Sequence, residues 1–209
     1  GLYYVCPAPG CQAAAIPVDK QVQNPVAMFD VDNNGVIVEL PPVPANGAAS
    51  ASGALVFGIG TQANNALGTA VVIAVTPTSG RFTTVYNGVR YGNSFVDSGS
   101  NGLFFQDTGI PICSRNSAAP FFYCPATTKN TSATIEGVNG ASVVVDFSVA
   151  NANALLTNNP GFAAFNNLGA PQAYANSFDW GLPFFFGRKV FSAIEGANTP
   201  GGLGPYVAF

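Results

Sequence analysis

The sequence predicts an all-β fold, mainly β with one or two short helices. Glycine and proline are abundant, with 24 and 16 residues in a chain of 209, as is typical of short strands joined by turns. Only 8% of the residues are charged, so the Glu, Lys and Arg residues that favour helices are scarce. Apolar stretches are separated by turn sequences such as PTSG and GVNGA. A chain of this length is able to bury a sizeable core.

The apolar stretches between turns predict ten strands. They are residues 36–40, 54–59, 69–75, 81–86, 94–97, 103–105, 133–136, 142–148, 184–194 and 206–209. RFTTVYNGVRY predicts a hairpin around Asn87 and Gly88, because an Asn-Gly pair suits a tight hairpin turn. SVANANALLTNN predicts a helix with Val149, Leu155 and Leu156 on one face, and PVAMF predicts one further helical turn.

The chain divides into a short N-terminal segment and one β unit. Residues 1–25 are rich in proline, glutamine and alanine, and they are expected to be an irregular segment tied down by a disulfide. Residues 26–209 are expected to form a single lobe. No repeat with a solenoid period is present in the sequence, which disfavours a β-helix or a propeller.

Four cysteines form two local pairs, and these predict two disulfides. Cys6 and Cys11 bound the loop CPAPGC, and Cys113 and Cys124 bound CSRNSAAPFFYC. A zinc site made of four cysteines usually contains a C-x-x-C pair, which neither spacing offers, so disulfides are favoured over metal ligands or free thiols. Disulfides persist in oxidising compartments, which predicts a secreted, periplasmic or cell-surface protein.

Charge and hydropathy exclude two classes of partner. The net charge is −3, and the seven basic residues are scattered, with only Arg188 and Lys189 adjacent, which offers no surface for nucleic acid and no polybasic segment for a membrane. No apolar run approaches the roughly 18 residues of a spanning helix, so membrane insertion is not expected. The opening GLYYVCPAPGC lacks the features of a signal peptide, so the chain is expected to begin inside a longer exported protein.

The absence of histidine excludes Ser-His-Asp catalysis, Cys-His catalysis and histidine-containing metal sites, and leaves carboxylate chemistry. Asp97 is the carboxylate with the most unusual context, between the apolar stretches SFV and LFF. Gly99 lets a backbone N–H approach the carboxylate, and Ser98 and Ser100 place hydroxyl groups within reach. The competing interpretation is an Asx-turn, in which Asp97 only binds its own backbone.

FVDSGSNGLFF, which contains this aspartate, resembles the active-site loop of pepsin-like aspartic peptidases, where D-[ST]-G-[ST] lies between hydrophobic strands. The resemblance covers residues 50–105 and 178–209, and matches the C-terminal lobe of a bilobal aspartic peptidase. It implies closed-barrel-like antiparallel sheets, with Gly181 and Leu182 at an apolar crossing behind the aspartate loop. The whole chain also looks like the C-terminal part of an uncharacterised family of secreted bacterial proteins with this fold.

The resemblance implies a secreted endopeptidase, active at acidic pH without a cofactor or metal, that acts on peptides or proteins. Such enzymes need two carboxylates that share a proton across one water molecule. Asp97 would be one of them, oriented by Ser98, Gly99 and Ser100. The second would come from the N-terminal lobe of the same precursor, on a separate chain after processing, or from a second protomer as in retroviral peptidases. The first arrangement is favoured because a retroviral-type lobe is about half as long as this chain.

Other motifs receive structural interpretations. Asp107 lies in QDTGIP, a second D-T-G sequence that predicts a β-turn. FDVDNNGVIVEL begins like a calcium-binding EF-hand loop, but Pro41 replaces the glutamate of the twelfth position, which favours a polar turn. The aromatic runs PFFY and PFFF, with Trp180, are expected in the core rather than along a substrate cleft.

A function of a different class also fits the sequence. A non-catalytic extracellular binding or structural protein is able to keep the peptidase-like fold with Asp97 as a turn residue, since a fold does not establish a function. The low charge and the abundance of Ala, Asn and Gly suit an assembly or adhesive surface. A second D-[ST]-G sequence in the missing N-terminal part would distinguish the enzyme from the scaffold.

Overall fold

The structure is a computed structural model that describes residues 3–17 and 20–209. In these residues the protein is mainly β, as predicted. The strands are β1 Tyr3–Val5, β2 Gln12–Ala14, β3 Gly35–Glu39, β4 Ala54–Phe57, β5 Val72–Ala74, β6 Phe82–Tyr86, β7 Val89–Val96, β8 Leu103–Phe104, β9 Lys129–Glu136, β10 Ser142–Val149, β11 Gly169–Ala170, β12 Asp179–Trp180, β13 Lys189–Ala193, β14 Asn198–Thr199, β15 Gly202–Leu203 and β16 Tyr206–Ala208. The helices are α1 Ala152–Asn158 and α2 Leu182–Phe185, with 3₁₀ turns at Pro25–Met28 and Ala63–Asn65.

Most strands belong to two sheets. One has seven strands in the order β10-β9-β6-β7-β12-β8-β11, and the other has five in the order β4-β3-β13-β16-β5. The strands make a nearly closed, barrel-like arrangement. The expectation of antiparallel sheets is wrong at two places, because β12 pairs with β7 and β11 pairs with β8 in parallel. Both exceptions involve two-residue strands that return to the sheet from a distant part of the chain.

One hydrophobic core joins the two sheets. Its centre is an aromatic stack, in which the ring centroid of Phe178 lies 4.4 Å from that of Trp180 and 4.8 Å from that of Phe105. Ile73 and Val207 of the five-stranded sheet belong to the same buried cluster. The buried aromatic rings supply large apolar area, so the core supports β12 from one face. Trp180 and the PFFF run are buried, as expected, whereas in PFFY the expectation is wrong for Phe121, which is 67% exposed.

Local sequence signals give the hairpin as predicted. The predicted helix is present as α1 but begins only at Ala152, and Val149, expected on its apolar face, belongs to strand β10. Asn87 and Gly88 have φ angles of 50° and 76°, which allow the tight turn between β6 and β7. Asn151 caps α1, because its side-chain oxygen accepts a hydrogen bond of 2.9 Å from the backbone N–H of Ala154. The predicted single turn at PVAMF is present as a 3₁₀ turn.

Two predicted elements differ in the structure. The strand expected at 184–194 begins only at β13, and its first residues form helix α2. Pro183 explains the difference, because its fixed φ suits the first turn of a helix and its ring removes a backbone donor. The N-terminal segment, expected to be irregular, contains a hairpin of β1 and β2.

Both predicted disulfides are present. Cys6 is bonded to Cys11, and Cys113 is bonded to Cys124. These bonds fit an oxidising compartment. Within residues 3–17 and 20–209, no helix has the length and apolar character needed to cross a membrane.

Candidate carboxylate site

The Asp97 loop, residues 97–102, connects β7 to β8 and fixes the carboxylate of Asp97 through both oxygens. Oδ1 accepts a hydrogen bond of 2.8 Å from the Gly99 N–H, and Oδ2 accepts one of 2.9 Å from the Ser100 hydroxyl. The turn is closed by the Ser100 N–H, which donates to the Asp97 carbonyl oxygen at 3.3 Å. The side chain of Asp97 is only half-buried. The loop therefore holds a carboxylate in one orientation while leaving it partly accessible.

The predicted Asx-turn is present, and it does not by itself distinguish Asp97 from other aspartates. The contact from Gly99 to Asp97 is such a turn, and Gly109 makes an equivalent bond of 2.8 Å to Asp107. Ser98 was expected to help orient the carboxylate, but it is exposed and makes no hydrogen bond to Asp97 in the part of the chain that the structure describes. What sets Asp97 apart is the bond from Ser100.

Strand β12 lies beneath the Asp97 loop. It is inserted between β7 and β8, so that Asp179 is the register partner of Phe95 on one side and of Phe104 on the other. The backbone N–H of Asp97 donates to the carbonyl oxygen of Trp180 at 3.0 Å. Because β7 and β8 both pair with β12 rather than with each other, the loop spans this strand and is anchored on both sides.

The chain after β12 crosses directly behind the loop, at Gly181 and Leu182, as the sequence predicts. The Leu182 N–H donates to the Ser100 carbonyl oxygen at 2.7 Å. A Cβ atom on residue 181 would lie 2.0 Å from the carbonyl oxygen of Gly102 and 2.8 Å from that of Ser100. These distances are far below van der Waals contact, so only glycine allows this crossing.

Asp179 is a second carboxylate of the site, and the sequence interpretation did not identify it. It is 6% exposed, and its Oδ2 lies 3.0 Å from the Ser100 hydroxyl oxygen, which also contacts Asp97. Its Oδ1 is buried without a hydrogen-bond partner among the described residues. The only sequence signal for it is a carboxylate placed before an apolar residue and a glycine in FDWGL.

Burial is the main cause that raises the pKa of Asp179 to about 6. The contact with the Ser100 hydroxyl opposes this shift, the negative charge of Asp97 adds to it, and the positive charge of Arg81 opposes it. A buried carboxylate that lacks enough donors is favoured in its neutral form. Asp179 therefore keeps its proton to a higher pH than an ordinary aspartate does.

Asp107, in the second D-T-G sequence, has a structural environment. The predicted β-turn is confirmed, since the Ile110 N–H donates to the Asp107 carbonyl oxygen at 3.2 Å. Oδ2 of Asp107 accepts hydrogen bonds from the Lys129 ammonium at 2.7 Å and from the Tyr86 hydroxyl at 2.6 Å. The carboxylate is neutralised by an ion pair, so it is not free to act on a substrate.

Polar side chains of the EF-hand-like segment form hydrogen bonds with other residues of the protein. The amide of Asn34 donates to the carbonyl oxygens of Ile59 and Asn198, both at 3.0 Å, and its oxygen accepts from the Ile59 N–H at 2.7 Å. The hydroxyl of Thr61 donates to the carboxylate of Asp32. These contacts hold a polar turn, which agrees with the structural interpretation of the motif.

A cleft of about 740 Å³ is lined by residues of β9, β10 and α2, and Asp179 does not line it. Trp180, Phe184 and Phe186 line it, together with the polar side chains of Asn130 and Arg188. Successive side chains of a strand point to opposite faces, so Trp180 faces this cleft and Asp179 faces the loop. The PFFF run therefore contributes both to the core and to a cleft wall.

A family model described as "Protein of unknown function (DUF3443)" matches residues 1–209. The chain belongs to the DUF3443 family. No curated protein and no solved structure matches the chain significantly. The geometry of the Asp97 loop is therefore the basis for any proposal about what this DUF3443 protein does.

Proposed function

We propose that this DUF3443 chain is one lobe of a secreted aspartic-type endopeptidase and contributes Asp97 as one of two catalytic carboxylates. The observation that supports this is a carboxylate held through both oxygens, by Gly99 and Ser100, yet half-exposed. The resemblance of FVDSGSNGLFF to the pepsin-like active-site loop points to the same residue. Asp107 lacks this combination because its side chain is only 7% exposed, and its carboxylate is also neutralised by the ion pair with Lys129.

The chemistry needs two carboxylates that share one proton. The ionised carboxylate takes a proton from a water molecule, whose oxygen forms a bond to the carbonyl carbon of the peptide. The protonated carboxyl donates to the carbonyl oxygen and stabilises the tetrahedral intermediate. The C–N bond then breaks, the leaving amine takes the proton that came from the water, and a hydroxyl of the diol returns its proton to the second carboxylate. No cofactor or metal takes part in these steps.

The second catalytic carboxylate comes from outside this chain. Asp179 is linked to Asp97 through Ser100, but it is 6% exposed and has no access to a substrate. The N-terminal lobe of the same precursor, on a separate chain after processing, supplies the partner acid. A second protomer is the other source, and the mass and N-terminal sequence of the purified protein distinguish the two.

Replacing the carboxylate tests this function. In the full-length protein, Asp97→Asn is expected to lower the cleavage of a peptide library at pH 3–5 to below about a hundredth of the wild-type rate, because an amide is not able to act as the base. The control is Asp30→Asn, at an exposed aspartate that makes no hydrogen bond within the described ranges. We expect this control to cleave like the wild type.

The outcome that would contradict the proposal is equal cleavage by the wild type and by Asp97→Asn. A wild type that does not cleave any peptide at any pH would also contradict it. Either result would favour the alternative, a non-catalytic extracellular binding or assembly protein that retains this fold.

A further inference from the structure

The hydroxyl of Ser100 lies between two carboxyl groups. Its oxygen is 2.9 Å from Asp97 Oδ2 and 3.0 Å from Asp179 Oδ2. A hydroxyl carries one proton and donates to one acceptor at a time. If both aspartates were ionised, one of these two contacts would bring lone pairs together without a proton between them. The two distances therefore favour a second proton in the network.

The surroundings of Asp179 identify where that proton is. Its Oδ1 is buried and unpartnered among the described residues, so an anion there would be both desolvated and short of donors. The charged groups that act on it are Asp97 from the loop and Arg81, the residue just before β6. The Arg81 guanidinium lies 4.1 Å from the ring centroid of Phe95. A neutral Asp179 satisfies the network, because its O–H donates to Ser100 and the Ser100 O–H donates to Asp97.

We propose that Asp179 is a positioning residue whose protonated carboxyl directs the Ser100 hydroxyl proton onto Asp97. The chain of donors runs from the Asp179 O–H to the Ser100 oxygen and from the Ser100 O–H to Asp97 Oδ2. When Asp179 loses its proton, the Ser100 hydroxyl has two carboxylate acceptors for its single proton. The hydrogen bond from Ser100 to Asp97 is then formed only part of the time. The catalytic consequence rests on the proposed function, whereas the hydrogen-bond chain does not.

A carboxyl-carbon NMR titration of the full-length protein tests the chain of donors without any activity. With aspartate labelled at the carboxyl carbon, Asp179 is expected to titrate near pH 6, and the Asp97 resonance is expected to shift at the same pH. In Ser100→Ala the shift on Asp97 is expected to be reduced. In Asp179→Asn it is expected to be absent, because the amide of asparagine still donates to Ser100 but does not titrate.

Two results would overturn the positioning role. One is an Asp179 that titrates near 3.8, the ordinary value for an aspartate. The other is an Asp97 resonance that shifts equally in the wild type and in Ser100→Ala, since the coupling would then not pass through the hydroxyl. Both can be read from the wild type and Ser100→Ala, so the test stands even if Asp179→Asn does not fold.

The pH profile of cleavage separates this inference from the proposed function. Above the Asp179 midpoint, wild-type activity is expected to fall about tenfold per pH unit, in proportion to the protonated fraction. Asp179→Asn is expected to show a shallower fall. An unchanged profile in Asp179→Asn, with activity abolished in Asp97→Asn, would reject the positioning role and keep the peptidase. Unchanged activity in Asp97→Asn would reject the peptidase and leave the NMR result valid.

Discussion

Gly181→Ala is expected to destabilise the protein by about 3 kcal/mol or more, or to prevent folding. The added Cβ would lie 2.0 Å from the carbonyl oxygen of Gly102 and 3.0 Å from the Ser100 Cβ, so the backbone of the Asp97 loop must move. Forced overpacking against backbone atoms costs at least as much as the largest small-to-large changes in protein cores. Chemical denaturation followed by circular dichroism measures the change in the free energy of unfolding.

The matched control for this substitution is Gly92→Ala on β7. A Cβ there would meet only the side-chain nitrogen of Asn176 at 3.6 Å, which is an ordinary contact. The change in the free energy of unfolding is expected to stay within about 1 kcal/mol, because alanine also restricts the unfolded chain. Equal stabilities of Gly181→Ala and Gly92→Ala would show that the crossing behind the loop is not as close as described.

Asp107→Asn is expected to lower the free energy of unfolding by about 2–3 kcal/mol at neutral pH. The substitution breaks the ion pair with Lys129, whose ammonium is 2.7 Å from a carboxylate that is 7% exposed. It also weakens the acceptor for the buried Tyr86 hydroxyl. Breaking a buried pair leaves a charge without compensation, at a cost of about 3–5 kcal/mol, and the partial exposure of Lys129 brings the expected cost below that range.

The effect of Asp107→Asn has a defined pH dependence. Burial acts to raise the pKa of Asp107, but the hydrogen bonds from Lys129 and Tyr86 lower it by more. A lowered pKa means that the stabilisation is present above the unfolded pKa, near 3.8, and is lost as the pH falls through the folded value. The difference from the wild type should therefore be large at pH 7 and small at pH 2.

The surface pair between Arg90 and Glu136 provides the control for Asp107→Asn. Its nitrogen-to-oxygen distance of 2.6 Å is close to the 2.7 Å of the pair between Lys129 and Asp107, but 62% of the Arg90 side chain is exposed. Glu136→Gln is expected to change stability by less than about 1 kcal/mol. If both substitutions cost the same, burial would not be the reason for the stabilisation by Asp107.

Short sequence patterns predict the local elements of this fold. They do not predict the elements that depend on pairing between segments far apart in the chain. Asn87 and Gly88 form the hairpin turn through their own φ angles, and the Asn151 side chain caps α1 by accepting a hydrogen bond from the backbone N–H of Ala154, three residues later. Strand β12 has only two residues, and its place between β7 and β8 comes from partners far away in the chain. The aromatic run after Gly181 has the same apolar character in a strand and in a helix, so its hydropathy does not distinguish the two. Pro183 favours the helix that the structure shows.

The same distinction applies to the candidate site. Asp97, Gly99 and Ser100 lie within four residues, so their contacts follow from the local sequence. Asp179 is 79 residues away from Ser100, and it reaches the loop only because β12 inserts beneath it. A buried carboxylate also departs from the expectation that charged residues are exposed, so hydropathy alone gives no reason to place it there.

The most direct test of the central proposal, that Asp97 belongs to a two-carboxylate hydrolytic site, is the binding of a peptide containing a statyl residue. The statyl hydroxyl mimics the tetrahedral intermediate, and transition-state mimics bind far more tightly than substrates. Calorimetry of the full-length protein at acidic pH is expected to show binding that Asp97→Asn weakens at least about 100-fold and Asp30→Asn leaves unchanged. The absence of binding, or equal binding by the wild type and Asp97→Asn, would contradict it.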